Sequence, residues 1–226
     1  MKAFISWSGG KDSALSCHRV MQNLGIHVTH FLNMLTEDGT RSRSHGLEPA
    51  LLQLQAKAAG VALVQGKAGW DDYEKEFKKA ILELKKEGVE AGVFGDIDLQ
   101  PHRDWVERVC KETGIRAILP IWNEGREKLL DEFIDAGFRA KIVVADSKYL
   151  DDSWLGCEID REFIKKAKAY GKIDLCGEGG EYHTFVCAGP IFEKPVEFTE
   201  EKKVLIGGTH WCLALKVGNG AKNGNY

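Results

Sequence analysis

The clearest chemistry in the chain sits in Ser8-Gly9-Gly10-Lys11-Asp12-Ser13, which joins the apolar run Ala3-Phe4-Ile5 to a helical pattern. That pattern is made by Ala14, Leu15, Cys17, His18, Val20, Met21 and Leu24 and is stopped by Gly25. The stretch reads as strand, phosphate loop, helix. Two glycines at a helix start let the backbone approach an anion, and the unpaired first-turn amides and helix dipole attract negative charge. Lys11 adds a mobile cation. A Walker A loop would need a glycine where Ile5 stands and a hydroxyl residue where Asp12 stands, so this is a different loop. An ordinary glycine turn between strand and helix is the plain alternative.

A second constellation is Cys176-Gly177-Glu178-Gly179-Gly180-Glu181-Tyr182-His183-Thr184-Phe185-Val186. Its glycines put Glu178 and Glu181 on a close-approaching backbone, directly before Tyr182, His183 and Thr184 on an entering strand. An acidic hairpin turn would carry the same residues. A third stretch, Thr36 to Gly46, holds Arg41, Arg43 and His45 beside Glu37 and Asp38. It is placed to form a mobile loop over the strand ends, or simply a solvated one.

The elements that must position these residues alternate. Strands are expected at Ala3–Ile5, His27–Leu35, Val61–Val64, Ala91–Asp96 and Ile115–Leu119, with helices at Glu48–Gly60, Trp70–Lys86 and Gln100–Thr113 between them. The fold class is therefore α/β, an N-terminal doubly wound parallel five-stranded sheet whose ligands sit beyond the carboxyl ends of the strands. Both the glycine loop and Asp96 fall at such ends. Beyond Trp122 the pattern changes to helix at Lys128–Ala136, strand at Arg139–Ala145 and helix at Glu158–Tyr170. The remainder is β-rich: Tyr182–Cys187, Val196–Phe198, Lys203–Ile206 and Trp211–Val217. This places one domain at 1–122 and a smaller α+β domain at 123–226, with a disordered tail over 218–226.

The 226 residues suffice to bury a real core, and a formal net charge of -3 gives no global basic field for nucleic acid. No window has the apolar run of a membrane span, and the start of the chain enters a strand rather than a signal peptide, so a cytoplasmic location is expected. Cys17, Cys110, Cys157, Cys176, Cys187 and Cys212 are scattered with no Cys-x-x-Cys pair, which disfavours structural zinc. Cys17, Cys110, Cys187 and Cys212 lie in apolar patterns as small hydrophobes.

The hexapeptide resembles the pyrophosphate loop of ATP pyrophosphatases, which include asparagine, GMP and NAD synthetases and several tRNA-modifying enzymes and have the adenine nucleotide alpha hydrolase-like fold. Arg41-Ser42-Arg43-Ser44-His45, Phe94-Gly95-Asp96-Ile97, Trp154-Leu155-Gly156 and the second constellation extend the likeness over essentially the whole chain. Together they resemble the diphthine-ammonia ligase family. That resemblance implies amidation of the diphthine carboxylate on translation elongation factor two with ammonium, consuming ATP through an acyl adenylate and releasing AMP and pyrophosphate. It implies no membrane or nucleic-acid partner and is compatible with a homodimer. A tRNA-thiolating enzyme and a nucleotide-binding regulator without chemistry are the alternatives.

On this reading Ser8, Gly9, Gly10, Lys11, Asp12 and Ser13 bind ATP, Lys11 offsetting charge on the leaving pyrophosphate. Asp12 and Asp96 hold Mg2+, which joins one or two carboxylates to phosphates. Asn33 and Met34, with Leu32, receive adenine, and His45 closes over the nucleotide. Glu178, Gly179, Gly180, Glu181, Tyr182, His183 and Thr184 form the acceptor site. Carboxylates and the Tyr182 ring suit a trimethylammonium, which cannot donate an N–H hydrogen bond, and Glu181 also takes a catalytic role, holding ammonium or accepting a proton.

Overall fold

The computed structural model describes residues 1–23 and 25–218. Leu24 and residues 219–226 of the expected tail lie outside the described residues. Gly218, expected to begin that tail, is instead buried and donates its amide to the Glu197 carbonyl at 3.1 Å.

Short apolar runs form the strands of the first sheet: β1 (Lys2–Ser6), β2 (His27–Leu35), β3 (Ala62–Lys67), β4 (Val89–Val93) and β5 (Arg116–Ile118). They pair in parallel in the order β3-β2-β1-β4-β5. Helices α1 (Lys11–Met21), α2 (Pro49–Ala58), α3 (Tyr73–Lys86) and α4 (Gln100–Thr113) make the crossovers. The strand order changes direction at β1, so the β1–α1 loop and the β4–α4 loop open side by side at the carboxyl edge. The doubly wound α/β expectation is met.

Helices α5 (Arg126–Asp135) and α6 (Arg161–Tyr170) accompany a second sheet of β6 (Arg139–Asp146), β7 (Tyr182–Ala188), β8 (Phe198–Ile206) and β9 (His210–Val217). This sheet is antiparallel, in the order β7-β6-β9-β8. α6 starts where the Asp160 side chain accepts from the Phe163 amide at 2.7 Å and stops at Gly171, whose φ of 66° is left-handed.

The period-two alternation of β1 decides where the core lies. Ala3, Ile5 and Trp7 face one side and pack in a single cluster with Leu51 and Leu52 of α2, Ile142 of β6, Phe185 of β7 and Leu213 of β9. Phe4 faces the other side, with Leu32, Met34, Phe77, Ile81 and Val106. The larger cluster thus runs through both sheets without a break at residue 122.

Several element expectations differ in detail; α6, expected from Glu158, begins at Arg161 after its Asp160 cap, and β3, expected to end at Val64, runs on to Lys67. Val196–Phe198 and Lys203–Ile206 are not separate strands: β8 is continuous, and a register irregularity between Glu200 and Lys203 absorbs the polar interruption. α3 begins at Tyr73, and Trp70 is 83% exposed, stacked by the Arg43 guanidinium at 3.8 Å. β4 ends at Val93, leaving Asp96 in the following loop. Among the described residues no helix is long and apolar enough to cross a membrane. All six cysteines are free.

Candidate functional site

Gly9 and Gly10 are fixed by their neighbours. Gly9 has φ 85°, and a Cβ there would meet Leu52 Cδ2 at 2.8 Å; at Gly10 it would meet His45 Cε1 at 2.3 Å. The loop is riveted by Gln55 of α2, which is fully buried. Its Nε2 donates to the Gly9 carbonyl at 3.0 Å and the Val186 carbonyl at 2.7 Å, and its Oε1 accepts from Trp7 Nε1 at 2.9 Å. The Val186 amide adds a bond to the Gly9 carbonyl at 2.9 Å. β7 of the second sheet therefore lies along the phosphate loop of the first. The Gly10 amide donates to Ser8 Oγ at 3.2 Å, and Ser13 Oγ donates to the Gly10 carbonyl at 2.9 Å.

Lys11 is not the mobile cation expected from the sequence. It is 4% exposed, and its Nζ donates to Asp12 Oδ2 at 2.7 Å and to the Cys176 carbonyl, with the Tyr182 ring centroid 5.4 Å away. Burial pushes its pKa down, but Asp12, Tyr182 and Cys176 more than reverse this, so the ammonium stays charged. The Asp12 carboxyl is pushed up by burial against the pull of Lys11. Gly95 brings the β4 loop onto this turn: a Cβ there would sit 2.9 Å from the Asp12 carbonyl carbon and the Ser13 amide. Its successor Asp96 thereby faces the same space as Asp12.

That space is a cavity of about 180 Å³. Lys11, Asp12, His45, Asp96 and His102 line it from the first sheet's side, and Cys176, Gly177, Glu178, Gly180, Tyr182, His183 and Thr184 from the second. Sites far apart in sequence thus converge, as the two glycine motifs require. Burial lifts the Glu178 carboxyl to about 7, with Asp12, Asp96 and Asp174 adding to it against Lys11. His183 falls to about 4 through burial, then Lys11 and His210. His45 is also held well below its ordinary value by burial and by His183. The two neutral rings stack with centroids 4.7 Å apart, and His45 Nδ1–H donates to the Thr184 carbonyl at 2.7 Å.

The other candidate residues divide. Tyr182 is 2% exposed; its hydroxyl donates to the Leu175 carbonyl and Phe163 packs edge-on against its ring, so it is a wall of the cavity and not an open aromatic face. Thr184 is equally buried and spends its hydroxyl on the Lys11 amide. Glu181 is buried beneath Gly179, while Glu178 and Gly180 reach the cavity. The Met34 side chain is core, against Gly66. The Leu32 and Met34 carbonyls accept from the Trp7 and Arg43 amides at 2.8 and 2.9 Å. Asn33 Nδ2 donates to the Trp7 carbonyl at 2.8 Å, leaving its Oδ1 buried without a partner. The expected mobile loop is a hydrogen-bonded turn: Leu35 bridges Ser42, and the Ser42 amide donates to the Leu47 carbonyl at 2.7 Å.

Sequence reasoning missed His102, whose Nδ1–H donates to Asp96 Oδ1 at 3.2 Å and whose pKa that bond raises. It missed Arg126, which pairs with Asp98 at 2.8 Å and Asp174 at 3.2 Å and so ties the glycine turn to the β4 loop. It missed Gln55 too, although a glutamine on the Leu51, Leu52 and Ala56 face of α2 was a signal.

Residues 1–117 match the diphthamide synthase N-terminal domain, and residues 125–216 match the diphthamide synthase C-terminal domain. The chain belongs to the diphthamide synthase family. The human diphthine-ammonia ligase is 31% identical over 216 residues, covering 84% of this chain and 79% of the human one. The mouse ligase is 29% identical over 225 residues, covering 88% and 83%. A fission yeast (Schizosaccharomyces pombe) ligase is 30% identical over 244 aligned residues, covering 96% of this chain but 39% of the yeast protein. As a diphthamide synthase family member, the chain is an enzyme of the ligase type, and its cavity lies between the segments matching the two domains.

Proposed function

We propose that this diphthamide synthase family member activates the carboxylate of diphthine on elongation factor two with ATP and amidates it with ammonium, releasing AMP and pyrophosphate in the cytoplasm. The observation that carries the reading is the single cavity in which the phosphate loop and the glycine-rich acidic turn meet. Residues 1–122 supply the nucleotide side and residues 123–226 the acceptor side. At about 180 Å³ the cavity is smaller than the roughly 300 Å³ at which small-molecule pockets begin, so it fits the reacting phosphate and carboxylate while the nucleoside lies outside.

Gly9, Gly10 and Ser13, with Ser8, cradle the phosphates at the α1 N-terminus, and Lys11 leaves the Cys176 carbonyl to offset charge on the departing pyrophosphate. Asn33 Oδ1, still without a partner, is the polar atom left to receive adenine near β2. The neutral His45 and His183 rings and Tyr182 wall the acceptor's reacting end, and Glu178 faces its trimethylammonium.

The donor set fits magnesium. Asp12 and Asp96 converge on one cavity, and both add to the upward push that burial gives the Glu178 carboxyl, which supports a cation between them. Magnesium commonly takes one or two carboxylates and draws its other ligands from phosphate and water. When bound, the ion screens the phosphate charge.

The test is incubation of the purified chain with ATP, ammonium and diphthine-bearing elongation factor two, followed by mass spectrometry of the modified histidine. Conversion of carboxylate to amide with one AMP per amide is the expected result. AMP release with modification of tRNA instead would overturn the reading.

A further inference from the structure

The reaction cavity has an apolar neighbour. A crevice of about 60 Å³ opens between the 41–48 turn of the first sheet and strands β6, β8 and β9 of the second. Leu47, Leu51, Val143 and Leu213, all buried, form its walls, so it is a gap left in the larger apolar cluster. Ile206, 51% exposed, and the exposed Arg41 mark its solvent side. A water molecule occupies about 30 Å³ in the liquid, so the crevice has room for molecules of that size.

His45 belongs to both spaces. It lines the crevice and the reaction cavity alike, and its Cε1 fills the place where Gly10 of the phosphate loop would carry a Cβ. Its Nδ1–H is spent on the Thr184 carbonyl and one ring face on His183, which leaves Nε2 as an acceptor with no hydrogen-bond partner among the described residues. Apolar walls hold off ions, which would have to shed their water there, and let a small neutral molecule pass. Once the acceptor carboxylate and the phosphate fill the cavity of about 180 Å³, a third reactant needs another way in.

We propose that this crevice is the entry path of the nitrogen donor as neutral ammonia, and that His45 stands at its inner end, Nε2 accepting a hydrogen bond from ammonia on its way to the activated carboxylate. The inference rests on the ligase reading above and gives the third reactant a route of its own. Ammonium leaves its proton in bulk water before it enters, so no group in the crevice has to take one. Ammonia matches the path in size, in lack of charge and in bringing an N–H to an unpartnered acceptor.

Side chains that fill or widen the crevice test the path without touching the reaction cavity. Val204 and Ala214 line it and are half-buried. In amidation assays of the full chain, Val204→Phe and Ala214→Leu should each raise the ammonium KM at least about tenfold while the ATP and acceptor KM values stay constant. If one of them does not fold, the other decides. Val204→Ala, which widens the path, should incorporate methylamine as the N-methyl amide more readily than the wild type, a gain that damage to the fold cannot produce. An unchanged ammonium KM in the filled variants, KM values that rise alike for all three substrates, or a Val204→Ala chain that rejects methylamine as strongly as the wild type overturns the path and leaves the crevice to water. Those results in a chain that still forms amide sink the path alone, whereas a wild-type chain that forms no amide sinks the ligase reading and the path with it.

Discussion

The Lys11 amide donates to Thr184 Oγ1 at 3.0 Å, so a first-turn donor of the phosphate loop is capped by a residue of the second sheet. Thr184→Val keeps the shape and removes the acceptor, which should lower stability by about 1 kcal/mol, the usual worth of a helix N-terminal cap. Thr184→Ser should keep it. Urea unfolding of the three proteins decides, and a valine variant as stable as the wild type would show that the bond contributes nothing.

The Lys11–Asp12 pair separates stability from chemistry. Lys11→Met leaves a mostly buried carboxylate without its cation and should cost about 3 kcal/mol. Adding Asp12→Asn removes the uncompensated charge and should recover most of that loss. AMP formation should remain at least about a hundredfold slow in both proteins, because the charge aimed at the leaving group is gone. Recovered turnover in the double variant would remove Lys11 from the reaction.

Two groups in the cavity titrate in opposite senses. The Glu178 carboxyl rises from 4.5 to about 7 on folding, so the folded state holds its proton more tightly and stability falls as pH climbs from about 4.5 to 7. His183 falls from 6.5 to about 4, so its contribution is present above 6.5 and is lost as pH drops towards 4. In their shared window the slopes oppose. Glu178→Gln should therefore make stability rise more steeply with pH between about 5 and 6.5 than in the wild type, and His183→Phe should make it rise less. Parallel curves for all three proteins would contradict both assignments.

Gln55 satisfies three buried groups at once. Gln55→Leu strands Trp7 Nε1 and removes a donor from the Val186 and Gly9 carbonyls, the latter keeping its bond from the Val186 amide, and should destabilise by about 2 to 3 kcal/mol. Because Gly9 belongs to the loop, the ATP KM should rise as well. Calorimetry and an ATP titration test the two halves; a KM equal to wild type would confine Gln55 to stability.

How much of this was legible in the sequence follows from the range of the forces involved. Ser8 to Ser13 and Cys176 to Val186 are local chemistry, visible because glycines and charges are unusual beside apolar runs, and α4 and β2 are bounded by patterns that match their ends. Long-range neighbours were not visible. Nothing local says that Tyr182 turns its face to Lys11, that Thr184 caps α1, or that Arg43 pairs its amide with the Met34 carbonyl and leaves no mobile loop. The gap before Lys203 resembled a break between strands because a register irregularity and a turn have similar polar residues.

The apolar cluster shared by Trp7 and Phe31 of the first sheet and Phe185 and Leu213 of the second has a consequence for taking the protein apart. A fragment ending at residue 122 would leave the stacked Trp7–Phe31 pair, 3.9 Å apart, short of its covering. It would also lose the Val186 partner of Gly9. The two halves are therefore not interchangeable modules. Heat or denaturant should melt them in one cooperative step, and grafting either onto a foreign partner would require rebuilding the surface along which they meet.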